Sequence, residues 1–214
     1  INLDKPWNEE TSDTGVFSGL SIYADMTYAI TENLNINLGA RYTKDKKALT
    51  IFTQWTNNLI MPIDSFAPIP LGLVFAEQFN PASKQEASWN KLTPRFVIDY
   101  KIHNNHLFYI SATEGFKAGG FNSLGVDDPF KAEQIWSYEL GVKSSLVENK
   151  IRINAAMFSW DSKDLQLLKL SGAIGTLPTY NIGNADAKGS GIELEFTWQV
   201  TDELSIESKY AYLK

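Results

Sequence analysis

The sequence predicts an all-β protein: an antiparallel up-and-down sheet of about eight strands, set out as four hairpins, of the kind that crosses a membrane as part of a β-barrel. Three observations carry this. Apolar and polar residues alternate with period two through most of the chain. Short polar turns fall at one end of the hairpins and long connections at the other. The two side-chain parities differ in kind, one apolar with aromatics near its ends, the other charged with both signs.

In the first hairpin Val16, Ser18, Leu20, Ile22, Ala24, Met26 and Tyr28 share one parity, against Phe17, Gly19, Ser21, Tyr23, Asp25 and Thr27. After "TEN" (31–33) the pattern resumes with Leu34, Ile36, Leu38, Ala40 and Tyr42 against Asn35, Asn37, Gly39, Arg41 and Thr43. In the second, Leu92, Phe96, Ile98, Tyr100 and Ile102 alternate with Lys91, Thr93, Arg95, Asp99 and Lys101. "HNNH" (103–106) turns the chain into "LFYISATEGF". In the third, Trp136, Tyr138, Leu140 and Val142 alternate with Ser137, Glu139, Gly141 and Lys143, and "VENK" (147–150) leads to Ile151, Ile153, Ala155 and Met157. In the fourth, Ile192, Leu194, Phe196, Trp198 and Val200 alternate with Glu193, Glu195 and Thr197, and "TDE" (201–203) leads to Leu204, Ile206, Ser208, Tyr210 and Tyr212. The long connections are expected at roughly 44–90, 116–134 and 165–187. Soluble sandwiches mix connection lengths at both ends, whereas outer-membrane barrels keep the short turns on one side.

Aromatics make up 13% of the 214 residues. Tyr28, Tyr42, Tyr100, Trp136, Tyr138, Trp198, Tyr210 and Tyr212 recur near strand ends on the apolar parity, as girdles at two membrane interfaces require. Large aromatics filling a soluble β core are the alternative reading. The polar parity carries Arg41, Lys91, Arg95, Asp99, Lys101, Glu139, Lys143, Glu193, Glu195, Glu207 and Lys209. A dry barrel core would not hold these cheaply, and a wide wet lumen would.

Composition excludes several classes. The net charge of -6 argues against a nucleic-acid partner. The absence of cysteine removes disulfides, thiolate catalysis and Cys-ligated zinc. No run of about 18 apolar residues encodes a membrane-spanning helix, which leaves a barrel open. His103 and His106 flank a turn with no third ligand in sight, Asp127 and Asp128 lack the spacing of a calcium loop, and G-x-S-x-G is missing. No enzyme, cofactor or metal site is expected.

Against this background "LTPRFVIDYKIHNNHLFYISATEGFKAGGFNS" (92–123) resembles the mid-barrel signature of TonB-dependent outer-membrane receptors. The segments at 133–166 and 180–213 resemble the two hairpins that follow, and "GARYTKDKK" (39–47) an earlier strand exit. The resemblance covers nearly all the chain except 48–88. It implies a receptor in the outer membrane of a Gram-negative bacterium, with a barrel of about 22 strands around a plug domain. It also implies active uptake of a scarce ligand, most often a ferric siderophore, powered through TonB. The expected partners are outer-membrane lipid, TonB through the plug or N-terminal region, and the small-molecule ligand. Residues 1–214 are expected to be a partial receptor barrel, since nothing resembles a plug, Ile1 is not an initiator methionine, and "LSIESKYAYLK" is strand-like to its last residue. A complete eight-stranded barrel with a structural or adhesive role, and a soluble β-sandwich binding module, are the alternatives.

The candidate ligand-binding residues lie in the long connections. "EGFKAGGFNS" (114–123) crowds glycines and aromatics where a strand leaves the wall, with no helix or phosphate-loop pattern after it. Segment 48–88 is apolar for a loop in water, with Trp55, Phe66, Phe75 and Phe79. The expectation is that Trp55, Phe66 and Phe79 fold over the barrel mouth and join Phe116, Lys117, Phe121 and Tyr180 in an aromatic vestibule with one cation, suited to a planar anionic ligand. Mutual packing of the loop's own apolar residues, and a glycine turn with no ligand role, are the alternatives.

Overall fold

A computed structural model describes residues 8–56, 82–122, 128–171 and 179–214. Eight strands follow one another: β1 (Asn8–Ala29), β2 (Leu34–Thr56), β3 (Ser83–Ile102), β4 (His106–Lys117), β5 (Glu133–Leu146), β6 (Ile151–Ser171), β7 (Thr179–Gln199) and β8 (Ser205–Leu213). They form one antiparallel sheet in sequence order, with β1 and β8 at its edges. Among the described residues the only helical turn is His103–Asn105.

The alternation becomes a two-faced sheet because the register keeps every parity in phase. Tyr28 lies opposite Ile36, and the row continues through Ile98, Ile110, Leu140, Met157 and Ile192 to Tyr212, apolar on all eight strands. The row beneath runs Leu34, Tyr100, Phe108, Val142, Ala155, Leu194 and Tyr210. A slip of one residue at any ladder would break both rows. The opposite face carries a sparse polar network. Asn35 and Asn37 each donate to Asp99 at 2.8 Å. Arg95 reaches Asp25 at 3.3 Å across β2, because the residue between them is Gly39. A Cβ there would sit 2.6 Å from the Asp25 carboxylate.

A core is almost missing. The buried hydrophobic residues among those described are Leu49, Ile51 and Ala118, while Ile22 is 66% exposed, Leu20 61% and Tyr210 58%. A soluble domain buries a sheet's apolar face under a second layer, and the described residues supply none. This separates the sheet from the soluble-sandwich alternative.

The apolar band ends in charges at its long-connection side. Its first charge is Lys44 on β2 and Lys188 on β7. The row of Lys188 passes through Asp161, Trp136 and Glu114 and, one step beyond the Arg95–Thr113 pair, meets Pro94 and Ala40. Glu114, Asp161 and Lys188 thus share one row, whereas the first charge on β2, Lys44, lies four residues beyond the Ala40 of that row. Beyond this edge the strands continue with ion pairs on the same face, Lys188–Asp161 at 2.9 Å and Lys163–Asp186 at 2.8 Å, and Lys46 against Glu86. Lys163 holds the Asp186 carboxyl below the ordinary carboxylate range, and Lys46 does the same for Glu86.

These extensions correct the expected connections. β2 runs to Thr56, β3 starts at Ser83, β6 runs to Ser171 and β7 starts at Thr179, so the links are 57–82, 118–132 and 172–178. Past the apolar band the two faces no longer differ in kind, apolar residues such as Leu49, Phe52, Leu167 and Leu168 falling on both, so the contrast that marks a strand in sequence disappears and hydrogen-bonded pairing continues without it.

Glycine opposite an aromatic recurs on the polar face. The Tyr109 ring lies over Gly141, Phe158 over Gly191 and Trp160 over Gly189, each close enough that a Cβ would fall within 2.6 Å of the ring. Tyr109 donates to Glu139. We expect Gly141→Val to lower the stability of the full-length protein by about 1–3 kcal/mol. Gly183→Ala faces only the flexible end of Lys169 and should change stability by less than about 0.5 kcal/mol. Urea unfolding in detergent micelles measures both, and equal small effects would contradict the flat packing of Tyr109.

Candidate functional site

β4 and β5 are shorter than their neighbours. Their ladder ends at Lys117 and Glu133, the β3–β4 ladder ends at Arg95 and Thr113, and β2, β3, β6 and β7 all continue past that level. The result is a notch in the sheet at the long-connection end. Lys91, Glu114 and Gln134 occupy its base, the Lys91 ammonium 2.7 Å from the Glu114 carboxylate and donating to Gln134 Oε1 at 2.7 Å. The Glu114 side chain is only 6% exposed and is paired there by the Lys91 ammonium.

The chain from Ala118 to Asn122 and from Asp128 to Ala132 fills the notch above. Its two halves pair through Gly120 and Phe130, with Phe130 N donating to Gly120 O at 2.9 Å. On one side this segment is tied to the polar face of β2 and β3. Lys47 Nζ donates to Gly119 O at 2.6 Å and stands 5.7 Å from the Trp89 ring centre and 6.0 Å from that of Phe17. Phe121 packs on Leu49 and Ile51 and meets Trp89 edge-to-face at 6.1 Å.

On the other side it is tied to β6 and β7. Gln166 Nε2 donates to Ala118 O at 3.0 Å and to Lys131 O at 3.2 Å. Asn184 and Lys131 exchange bonds of 2.8 and 3.2 Å, and Asn122 pairs through its amide with the backbone of Ile182. A bulge at Ser162–Leu165, with Asp164 at φ 53°, sets Gln166 opposite Asn184. The two glycines of "KAGGFN" are explained by close approach. A Cβ on Gly119 would lie 2.2 Å from Phe130 O and 2.6 Å from Trp89 Nε1, and one on Gly120 would lie 2.6 Å from the Phe130 ring.

The structure thus gathers a smaller cluster than the sequence predicts. Phe121 is in it. Phe116 lies opposite Gln134 at the edge of the notch, and Lys117 is exposed. Tyr180, exposed on β7 opposite Leu170, is two residues from the Ile182 that holds Asn122. The backbone of Trp55 lies in β2 opposite Glu9, so it belongs to a strand and not to a loop. The Trp55 side chain, and Phe66, Phe75 and Phe79 altogether, lie outside the described residues, as does Asp127. The cation beside the aromatics is Lys47.

Lys47 and Trp89 escape a reading that places 44–90 in one long connection, and Phe17 is read only as a strand residue of the polar parity. A signal for them exists: Leu49 and Ile51 are apolar on the polar parity of β2, the mark of a floor beneath something. Chemically the cluster offers ring faces, backbone amides and one ammonium. Among the described residues no three His, Asp or Glu groups converge as metal ligands. Phe121→Ala should cost about 1 kcal/mol and speed amide exchange across 118–122 about fivefold in the full-length protein. Unchanged exchange would show that the segment is held without the Phe121–Trp89 contact.

A family model described as TonB dependent receptor-like, β-barrel, matches residues 2–214. The pesticin receptor of Yersinia enterocolitica is 28% identical over 202 residues, 92% of this chain and 26% of that protein. The chain therefore spans about a quarter of that relative's length. Among solved structures, the ferric yersiniabactin uptake receptor FyuA from Yersinia pestis superposes with a TM-score of 0.71 at 21% identity, covering 96% of this chain and 28% of that one. The siderophore receptor PiuA from Acinetobacter baumannii gives 0.64 at 18% identity, covering 94% and 26%. This chain belongs to the TonB-dependent receptor β-barrel family.

Proposed function

We propose that this TonB-dependent receptor-family chain is a stretch of barrel wall from an outer-membrane receptor that imports a scarce small molecule, with a ferric siderophore as cargo. The observation that carries this reading is the row from Tyr28 to Tyr212, apolar on every strand and exposed on a sheet with almost no core. Such a face needs a bilayer, and a closed ring of such strands leaves no unpaired edge within it. The edge positions of β1 and β8 among the described residues fit a larger barrel, with further strands and a plug completing it.

In this reading the apolar face meets lipid and the polar face meets a wet lumen. The short turns face the periplasm and the notch with its Lys47–Trp89–Phe121 cluster faces outward. There the rings would stack on planar groups of the cargo and the ammonium would attract its negative charge. The barrel does no bond chemistry. It binds outside and passes the cargo inward when TonB acts on the plug. Two structurally similar proteins are named as a ferric yersiniabactin uptake receptor and a siderophore receptor, and they suggest the cargo class.

Growth of a deletion strain on a panel of single ferric chelates, vitamin B12 and oligosaccharides tests it. Loss of growth confined to one or a few ferric chelates is expected, and loss confined to B12 or a sugar would overturn the cargo. The bilayer reading is tested separately. Met157→Arg should destabilise the assembled receptor by about 2–4 kcal/mol, and Ala156→Arg, on the polar face, by much less. Equal effects would contradict it.

A further inference from the structure

At the short-turn end of the polar face, far from the notch, lies a cavity of about 280 Å³ that no step above uses. Lys101, Lys143 and Arg152 border it. The register explains their convergence. Lys101 and Lys143 flank Leu107 on adjacent strands, and Arg152 lies opposite Ser145, two residues on from Lys143. Leu107 lies at the centre of this arrangement, and Ser145 and Asn154 add polar groups at its edge.

The charges here are one-sided. None of the three cations forms an ion pair among the described residues. Three other basic groups on the polar face are engaged by carboxylates: Arg95 by Asp25, Lys91 by Glu114 and Lys209 by Glu195. The nearest carboxylates, Glu139, Glu193 and Glu195, border the adjoining cavity with Lys143 and Asn154; Glu195 is held by Asn154 and Lys209, and Glu139 by Tyr109. Lys143 stands 5.7 Å from the Tyr109 ring, which adds attraction without neutralising its charge. Three like charges around one recess repel each other unless an anion joins them. The guanidinium offers a planar fork for two oxygens, and the ammoniums supply mobile point charges.

We propose that this recess binds a small, freely exchanging oxyanion of phosphate or carboxylate type. The site would lie on the lumenal wall at the periplasmic side, about 40 Å along β3 from Trp89, and needs no particular cargo.

The test uses the full-length receptor in non-ionic detergent and inorganic phosphate as probe, followed by calorimetry or phosphorus NMR line broadening. Saturable binding is expected, weakening as salt rises. The K101Q/K143Q/R152Q triple variant should bind at least about tenfold more weakly, and the charge-keeping K101R/K143R/R152K variant within about threefold. Lys163→Gln, on the other face, should leave binding unchanged. Heat-modifiable gel migration checks assembly. Should the triple variant fail to assemble, K101Q and R152Q alone are each expected to weaken binding about threefold. Phosphate binding unaltered by these glutamine substitutions, or no saturable binding to the wild type, would overturn the proposal.

Discussion

Everything in this structure depends on one shared register. Each ladder pairs like parity with like parity, so an apolar row and a polar row stay separate across the whole sheet. Because side chains alternate with a period of two, one slipped ladder would send carboxylates such as Glu139 and Glu193 to the apolar face. The four short turns help to fix that phase. Thr31 Oγ1 accepts from the backbone N–H of Asn33 and Leu34, and Thr201 Oγ1 does the same for Glu203 and Leu204. In the third turn Val147, Glu148 and Asn149 all take positive φ, the backbone that a tight hairpin needs.

The same register leaves a gap where β4 and β5 stop early, and the notch segment closes it. Backbone groups that lose their ladder partners are satisfied by the side chains of Lys47, Gln166 and Asn184, reaching from three strands, while Asn122 of the segment ties itself to Ile182 on β7. Each group there is bound several ways. The opposite end of the polar face is different, since Lys101, Lys143 and Arg152 form no ion pair among the described residues. The polar wall is therefore uneven, cross-linked at one end and open-handed at the other.

Much of the fold was legible in the sequence, because the four hairpins show their contrast within the apolar band. Val16 to Tyr28 and Trp136 to Val142 read as strands directly. Lys44 to Thr56 and Ser83 to Asn90 did not, since past the band the two faces no longer differ in kind and periodicity carries no signal. The candidate site was half legible. Phe121 was marked by the crowded glycines, whose role was to admit Trp89 and Phe130 at close range. Lys47 and Trp89 were not, because their nearness to Phe121 arises from long-range pairing and from where β4 ends. Lys117, adjacent to Phe121 in sequence, points to solvent. The family resemblance, by contrast, was legible, because whole hairpins carry it.

The central claim is that one face of this sheet lies in lipid and the other in water, in the stated phase. Nitroxide scanning of residues 136–143, one cysteine at a time in the full-length receptor in vesicles, measures this directly. Collisions with oxygen should peak at Trp136, Tyr138, Leu140 and Val142, and collisions with a water-soluble nickel chelate at Ser137, Glu139, Gly141 and Lys143. Accessibilities that fail to alternate, or that alternate in the opposite phase, would contradict the account.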